Sequence, residues 1–229
     1  MTAETPVPIR PAATVILWRK GPRGPEVLMG QRGAGAVFMP DKVVFPGGAV
    51  DPADAGVVLG TPLPSPCAER LALDAPGGPE PAVLAAAGIR ELWEETGLAL
   101  GRPGAFAPPP DAGQDWAAFA ARGLAPAADA LRFVFRAVTP PGRPRRFDAR
   151  FFLVPAAALA GDAADTSAAS DELSHLAWLT LAEARRRDLP FITEVVLAEV
   201  ALHLRGEAGA GGVPFFDNRG DRPVFRRLV

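Results

Sequence analysis

The chain has 229 residues, of which 24 are lysine or arginine and 26 aspartate or glutamate, giving a formal net charge of −2. That length can bury the core of one domain with insertions, and that charge excludes general attachment to DNA, RNA or acidic membranes, where a basic surface supplies most of the affinity. A lone cysteine, Cys67, excludes an internal disulfide framework and a zinc cluster built from cysteines.

The N-terminal MTAETPVPIRPAAT lacks a charged start followed by an apolar core, so no signal peptide is expected. The longest apolar run, around TVILW, is far short of the roughly 20 residues that cross a bilayer, and the chain reads as soluble and cytoplasmic. Segments 12–19 (AATVILWR) and 26–32 (EVLMGQR) flank the turn-rich GPRGP and predict an antiparallel pair. KVVFPGG is a third β-like run, broken by Pro46, Gly47 and Gly48. Residues 55–81 are punctuated by Pro and Gly and read as an inserted loop, with one or two helical turns near CAERLAL.

A strong helix is predicted over 81–96, starting at Pro81 and stopping at Gly97. After a loop at 101–113, QDWAAFAARG reads as a short helix. LRFVFRAV (131–138) and ARFFLVP (149–155) are strands linked by the basic TPPGRPRRFD. LSHLAWLTL (173–181) is a further strand leading into AEARRR, and 190–205 carry helical periodicity. The tail 206–229 reads as irregular with a basic end. Mixed strands and few helices, without sustained βαβ alternation, predict one α/β-type (α+β) domain over 1–229 that is not doubly wound.

The stretch GIRELWEETGL sets Glu91, Glu94 and Glu95 within five positions. At about 100° per residue the three fall within an arc of about 100°, opposite a packing face of Ala85, Ala86, Ile89, Leu92 and Trp93. Like charges at these spacings cost a few tenths of a kcal/mol per pair, and the C-terminal end of a helix disfavours anions. Arg90 can reach Glu94 but supplies one charge; a divalent ion such as Mg²⁺ would supply the rest through hard carboxylate oxygens. The alternative is a solvated acidic face with Arg90–Glu94 as an ordinary surface pair.

The surrounding residues favour the metal. RELWEETGL resembles the second half of the Nudix box, R-E-U-x-E-E-x-G-U with U bulky and apolar. Arg90, Glu91, Leu92, Glu94, Glu95, Gly97 and Leu98 fill each specified position. The first half, G-x5-E, resembles GAVDPAD, with Gly48 at the glycine and Asp54 at the acid, after FPGG. Two departures stand out. Asp54 replaces a glutamate, and 35 residues (55 to 89) separate it from Arg90 where the box has seven, an insertion of about 28. Added loop length costs little closure entropy, so the helix can stay in place.

The resemblance, spanning roughly 10–205, implies an α/β/α sandwich around a mixed sheet, with inserted loops. It also implies hydrolysis of a nucleoside diphosphate linked to another group with Mg²⁺ or Mn²⁺. Glu91, Glu94 and Glu95 are then the metal ligands, joined by the Gly47 carbonyl, and Arg90 orients the Glu91 or Glu94 carboxylate. One of the glutamates or a later acid takes the proton from water; in SDELSHLAWLTLAEA that acid is Glu172, or less readily Asp171. Arg145, Arg146 and Arg32 are the candidate substrate-binding arginines, since guanidinium forks suit phosphates. Phe147, Phe151 and Phe152 either stack a base or belong to a buried strand, the reading preferred for them.

The interrupted box with RRFD-x-RFF resembles a branch of coenzyme A diphosphatases, although Ala149 stands where that branch has threonine. Coenzyme A or an acyl-CoA is therefore the first substrate to expect. The alternatives are ADP-ribose or a nucleotide sugar, a non-catalytic Nudix-like binding module, or an unrelated soluble α/β protein. The expected partner is a small nucleotide-derived molecule, with no nucleic acid and no membrane, and a homodimer is allowed. His175 and His203 read as structural, and no serine has a nucleophile-elbow context.

Overall fold

The structure, a computed structural model, describes residues 7–208, 211–220 and 222–229. The first six residues of the segment read for a leader, and residues 209–210 and 221 of the tail, lie outside the described residues. In chain order the strands are β1 (Ile9–Gly21), β2 (Gly24–Arg32), β3 (Val43–Val44) and β4 (Gly47–Ala49), then β5 (Gly101–Pro103), β6 (Leu124–Pro126), β7 (Arg132–Val138), β8 (Arg146–Pro155), β9 (Leu173–Thr180), β10 (Val213–Asp217) and β11 (Val224–Leu228). The helices are α1 (Ser65–Ala72), α2 (Pro81–Thr96), α3 (Gly113–Ala121), α4 (Leu181–Ala184) and α5 (Phe191–Leu204).

One mixed sheet of nine strands runs β11-β10-β7-β8-β1-β2-β3, with β4 added to β1 and β9 to β2. β1 is central because its alternation serves both faces. Ala13, Val15 and Leu17 face α2, where they meet Leu84, Ala85 and Ile89, while Ile16 joins Val196, Leu197 and Val200 of α5 on the other side. Two buried layers, one on each face, make an α/β/α sandwich, as expected. β5 and β6 form a separate small sheet. Among the described residues no helix is long and apolar enough to cross a membrane.

The sheet divides where β1 and β2 part. β2 pairs with β1 only through Trp18–Gly21, while Ala12–Thr14 of β1 pair with β4 and Gly30–Gln31 of β2 pair with β3. Residues 55–81 contribute α1, whose Cys67 and Leu71 are buried, and Val57 before it joins the same core.

The tail corrects the expectation of irregular structure. β10 and β11 form an antiparallel hairpin, and β10 runs parallel to β7 to extend the sheet. Its Asp217, with Asp74 from the segment after α1, binds Arg219 and Arg226. Hydrogen bonds from Arg219 and Arg226 hold Asp217 well below the usual carboxylate range, against the opposing effect of burial. A depressed carboxylate stabilises fully above its unfolded value of about 3.9 and loses that contribution as pH falls toward the folded value. The melting temperatures of wild type and Asp217→Asn should therefore differ by a constant amount from about pH 8 to 5 and converge below about pH 4. An offset that widens on acidification would contradict this pairing.

Candidate active site

α2 is fixed at both ends by local chemistry. Pro81 occupies its first turn, where a missing N–H costs nothing, and Gly97 stops it in the left-handed conformation (φ 70°), its N–H donating to the Trp93 carbonyl at 2.8 Å. A side chain at Gly97 would also meet Ala168 at 2.8 Å. The residues before β9 dock here, with the Ser170 N–H donating to the Glu94 carbonyl at 3.1 Å.

The helix is buried almost all round, which corrects the reading of one packing face and one open acidic face. Leu84 through Leu92 are buried without interruption, and Glu91 and Glu95 are only 8% and 2% exposed. Strands β1 and β4, the 3-10 turn Pro52–Gly56, α1 and α3 all pack against it. Glu94 remains half-buried.

Arg90 organises the acids. Its Nε and Nη2 donate to the two Asp54 carboxylate oxygens at 2.9 and 3.0 Å, and Nη2 also donates to the Ala49 carbonyl at 2.9 Å. Nη1 donates to Glu91 Oε1 at 2.9 Å and to both Glu94 oxygens at 3.0 Å. All five guanidinium N–H groups can thus be satisfied. Burial would favour losing the Arg90 proton, but Asp54, Glu91 and Glu94 outweigh it and hold the group charged. Asp54 also accepts from the Asp51 N–H at 2.8 Å, in a capping box over the 3-10 turn. Asp54 therefore anchors Arg90. The 35 residues between them in the chain leave that arrangement intact.

Glu95 is held differently, accepting from the Gly47 N–H at 2.7 Å, with Arg32 Nη1 4.0 Å from its other oxygen. Gly48 permits the close approach of β4 to α2, since a Cβ there would lie 2.5 Å from Glu91 Oε2. Gly48→Ala is expected to displace Glu91 and lower kcat by about 10²-fold, the cost of misplacing a reacting group by about an ångström. Unchanged kcat at full expression would refute this.

The electrostatics follow from this crowding. Burial pushes Glu91 up to about 7, with Arg90 opposing and the charges of Glu94 and Glu172 adding to the rise. Glu95 is raised well above the usual range by burial and then by Glu91, against the Gly47 N–H and Arg32. Burial also raises Glu94, with Arg90 opposing. Glu172 is exposed on the loop entering β9, and its charge reaches both Glu91 and Glu95. The structure therefore brings together Arg90, Glu91, Glu94, Glu95, Gly47 and Arg32, and the charge of Glu172 is felt at Glu91 and Glu95.

Arg145 and Arg146 sit apart, at the turn between β7 and β8. Arg145 is exposed; Arg146 donates to the Thr139 carbonyl at 3.0 Å and the Asn218 carbonyl at 2.7 Å, tying the tail to this turn. Among the described residues neither makes a hydrogen bond or ion pair with the glutamates. Phe151 and Phe152 are core residues, 6% and 0% exposed, in accord with the buried-strand reading.

A solved Nudix hydrolase from Alicyclobacillus acidocaldarius shares 32% sequence identity with this chain and superposes with a TM-score of 0.63, covering 85% of this chain and 92% of its own. The chain belongs to the Nudix hydrolases. This Nudix chain also shares its fold with an Ap4A hydrolase from C. elegans, at 15% identity and a TM-score of 0.50, covering 86% of this chain and 99% of that one. No family model and no curated protein matches the sequence. As a family member the chain is an enzyme, a hydrolase of nucleoside diphosphate-linked compounds.

Nudix hydrolases use divalent metal ions, and the donor set here fits one. With all four carboxylates ionised, as a bound cation would favour, Asp54, Glu91, Glu94 and Glu95 exceed the two guanidiniums of Arg90 and Arg32 by two negative charges, which matches one divalent cation. The donors are hard oxygens of the type Mg²⁺ and Mn²⁺ prefer. Among the described residues no three acidic, histidine or cysteine side chains converge as a preformed metal cluster; Glu91 and Glu94 lie on Arg90 and Glu95 on the Gly47 N–H.

Proposed function

We propose that this enzyme hydrolyses the diphosphate linkage of a nucleoside diphosphate derivative with Mg²⁺ or Mn²⁺, and that coenzyme A or an acyl-CoA is its substrate. The observation that carries the metal-dependent step is the buried carboxylate excess on α2. A divalent ion held by Glu91, Glu94, Glu95 and the Gly47 carbonyl would neutralise the diphosphate and lower the pKa of a bound water. Arg90 fixes the rotamers of Glu91 and Glu94 and, fully engaged with them, Asp54 and Ala49, does not touch substrate. Glu172, exposed and with its charge felt at Glu91 and Glu95, takes the proton from the attacking water. Arg32, whose Nε is buried without a partner among the described residues, and Arg145 hold phosphate oxygens. Arg146 presents less of its guanidinium, because two carbonyls already occupy it. The interrupted box and the RRFDARFF segment support coenzyme A as the compound.

A substrate panel tests this reading. With Mg²⁺ or Mn²⁺, coenzyme A should release 3′,5′-ADP, and chelator should abolish the release. AMP from ADP-ribose without cleavage of coenzyme A would move the assignment to that compound, and no cleavage of any nucleoside diphosphate derivative would reject it. In parallel, metal at 100 times its Kd should stabilise the fold by about 2.7 kcal/mol, read as a rise in Tm. No shift at millimolar metal would contradict the proposed ligands.

A further inference from the structure

A cleft of about 350 Å³ lies outside the carboxylate site. It is lined by Arg23 and Pro25, where β1 turns into β2, and by Leu181, Ala182, Glu183 and Arg186 of α4 and the turn after it. The pairing of Glu26 in β2 with Thr180 in β9 brings these two segments together. Pro25 lies seven residues along β2 from Arg32, and Thr180 seven residues along β9 from Leu173. Seven residues of strand span roughly 23 Å, so the cleft is at the far end of these strands from Arg32 and Glu172.

The charge around the cleft is opposite in sign to that of the whole chain. Residues 19–26 and 180–188 carry six cations and three acids, in a protein of net charge −2. Each of the three acids already has a cation. Glu26 accepts from Arg19 Nε at 2.8 Å, and Lys42 pairs with Asp188. Glu183 accepts through Oε2 from the Thr180 N–H and hydroxyl, at 3.0 and 2.8 Å, and meets Arg23 through Oε1 at 2.7 Å. Arg185, Arg186 and Arg187 are exposed, and among the described residues their guanidiniums make no hydrogen bond or ion pair. Two of these cations are positioned at the cleft by one residue. The Glu183 carboxylate holds the Arg23 side chain, which still exposes 66% of its surface, and the Glu183 carbonyl accepts from the Arg186 N–H at 3.1 Å, fixing the turn that carries Arg186. Arginines that serve solubility alone need neither a shared cleft nor an acid that orients one of them.

We infer that this cleft is a second binding site, which takes a small phosphate-bearing anion between Arg23 and Arg186. Guanidinium forks match phosphate oxygens in pairs, and two of them on separate segments can grip one group from both sides. Pro25, Leu181 and Ala182 supply an apolar wall for the uncharged part of the ligand, as compact ligand clefts do. The site needs no divalent ion and does not rest on the diphosphatase reading of the carboxylates.

Titration calorimetry of the full chain with inorganic diphosphate, in chelator and at low salt, tests this. Wild type should show one saturable site. Arg23→Ala and Arg186→Ala should each weaken it about tenfold, the scale of one lost charge-assisted hydrogen bond. Arg186→Lys, which keeps the charge and loses the fork, should fall between wild type and the alanine variant. Arg32→Ala, the control for capture at the carboxylate site, and Arg187→Ala, beside the cleft but outside its lining, should stay within about twofold of wild type. AMP and inorganic phosphate titrated in parallel separate two sources of the same group: tighter AMP binding assigns the cleft to organic phosphates, equal binding to the inorganic ion, and either supports the site. Binding lost in Arg32→Ala but kept in Arg23→Ala and Arg186→Ala would overturn the inference. So would the absence of saturable binding, or equal weakening by Arg186→Ala and Arg187→Ala, the mark of a diffuse basic surface.

Discussion

Glu95→Gln is expected to lose roughly 10²- to 10³-fold in kcat, the scale on which one preorganised charge is felt, while the fold stays at least as stable as wild type. The two effects have one cause. Glu95 is 2% exposed and close to Glu91, and its nearest cation, Arg32, is 4.0 Å away. A buried carboxylate with so weak a counter-ion costs stability, and the neutral isostere removes that cost. Glutamine can still accept from the Gly47 N–H through its amide oxygen, so the approach of β4 to α2 is kept. It cannot supply the charge that a divalent ion requires. Loss of activity with unchanged or raised Tm marks a residue kept for function. Glu94→Gln should behave alike in kcat. Full turnover in both variants would remove these side chains from the metal site.

The elements visible in the sequence are those whose signals are local. Pro81 and Gly97 bound α2 at the predicted residues because a first-turn proline and a left-handed glycine act through neighbouring backbone alone. RELWEET pointed to the family for the same reason: its matching residues occupy two adjacent turns. What was not legible depends on distant contacts. Glu91 and Glu95 are covered by residues 47–48, which periodicity within the helix cannot register. β10 and β11 looked irregular because β10 joins the sheet by parallel pairing with β7, about 80 residues earlier in the chain. Arg145 and Arg146 look equivalent in sequence, yet one is exposed and the other holds two carbonyls. Asp54 looked like a weakened box position; only the folded chain shows it bound by the Arg90 fork while it caps its own turn.

That fork carries the second large effect. Arg90→Met keeps the length and apolar stem of the side chain but leaves Asp54, 1% exposed, and Glu91, 8% exposed, without their cation. Removing one partner of a buried ion pair costs about 3–5 kcal/mol, because the other charge stays buried and unpaired. For a chain of this size each kcal/mol lowers Tm by about 2–4 °C, so the expected fall is about 6–20 °C. Activity should fall as well, since Glu91 and Glu94 lose the donor that orients them. If the penalty comes from the stranded charge of Asp54, removing that charge should recover part of it. Arg90→Met/Asp54→Leu, with a side chain of similar shape and no charge at 54, should regain at least about 1 kcal/mol over Arg90→Met, within the 0.5–3 kcal/mol expected of contacting residues. Thermal or urea melts of the two single variants and the double variant form a closed cycle. Strictly additive losses would mean that Arg90 stabilises the domain through its stem, and that the Asp54 fork contributes nothing. Recovery of Tm in the double variant without recovery of kcat would separate the two roles proposed for Arg90: neutralising Asp54 for the fold, and aiming Glu91 and Glu94 for the chemistry.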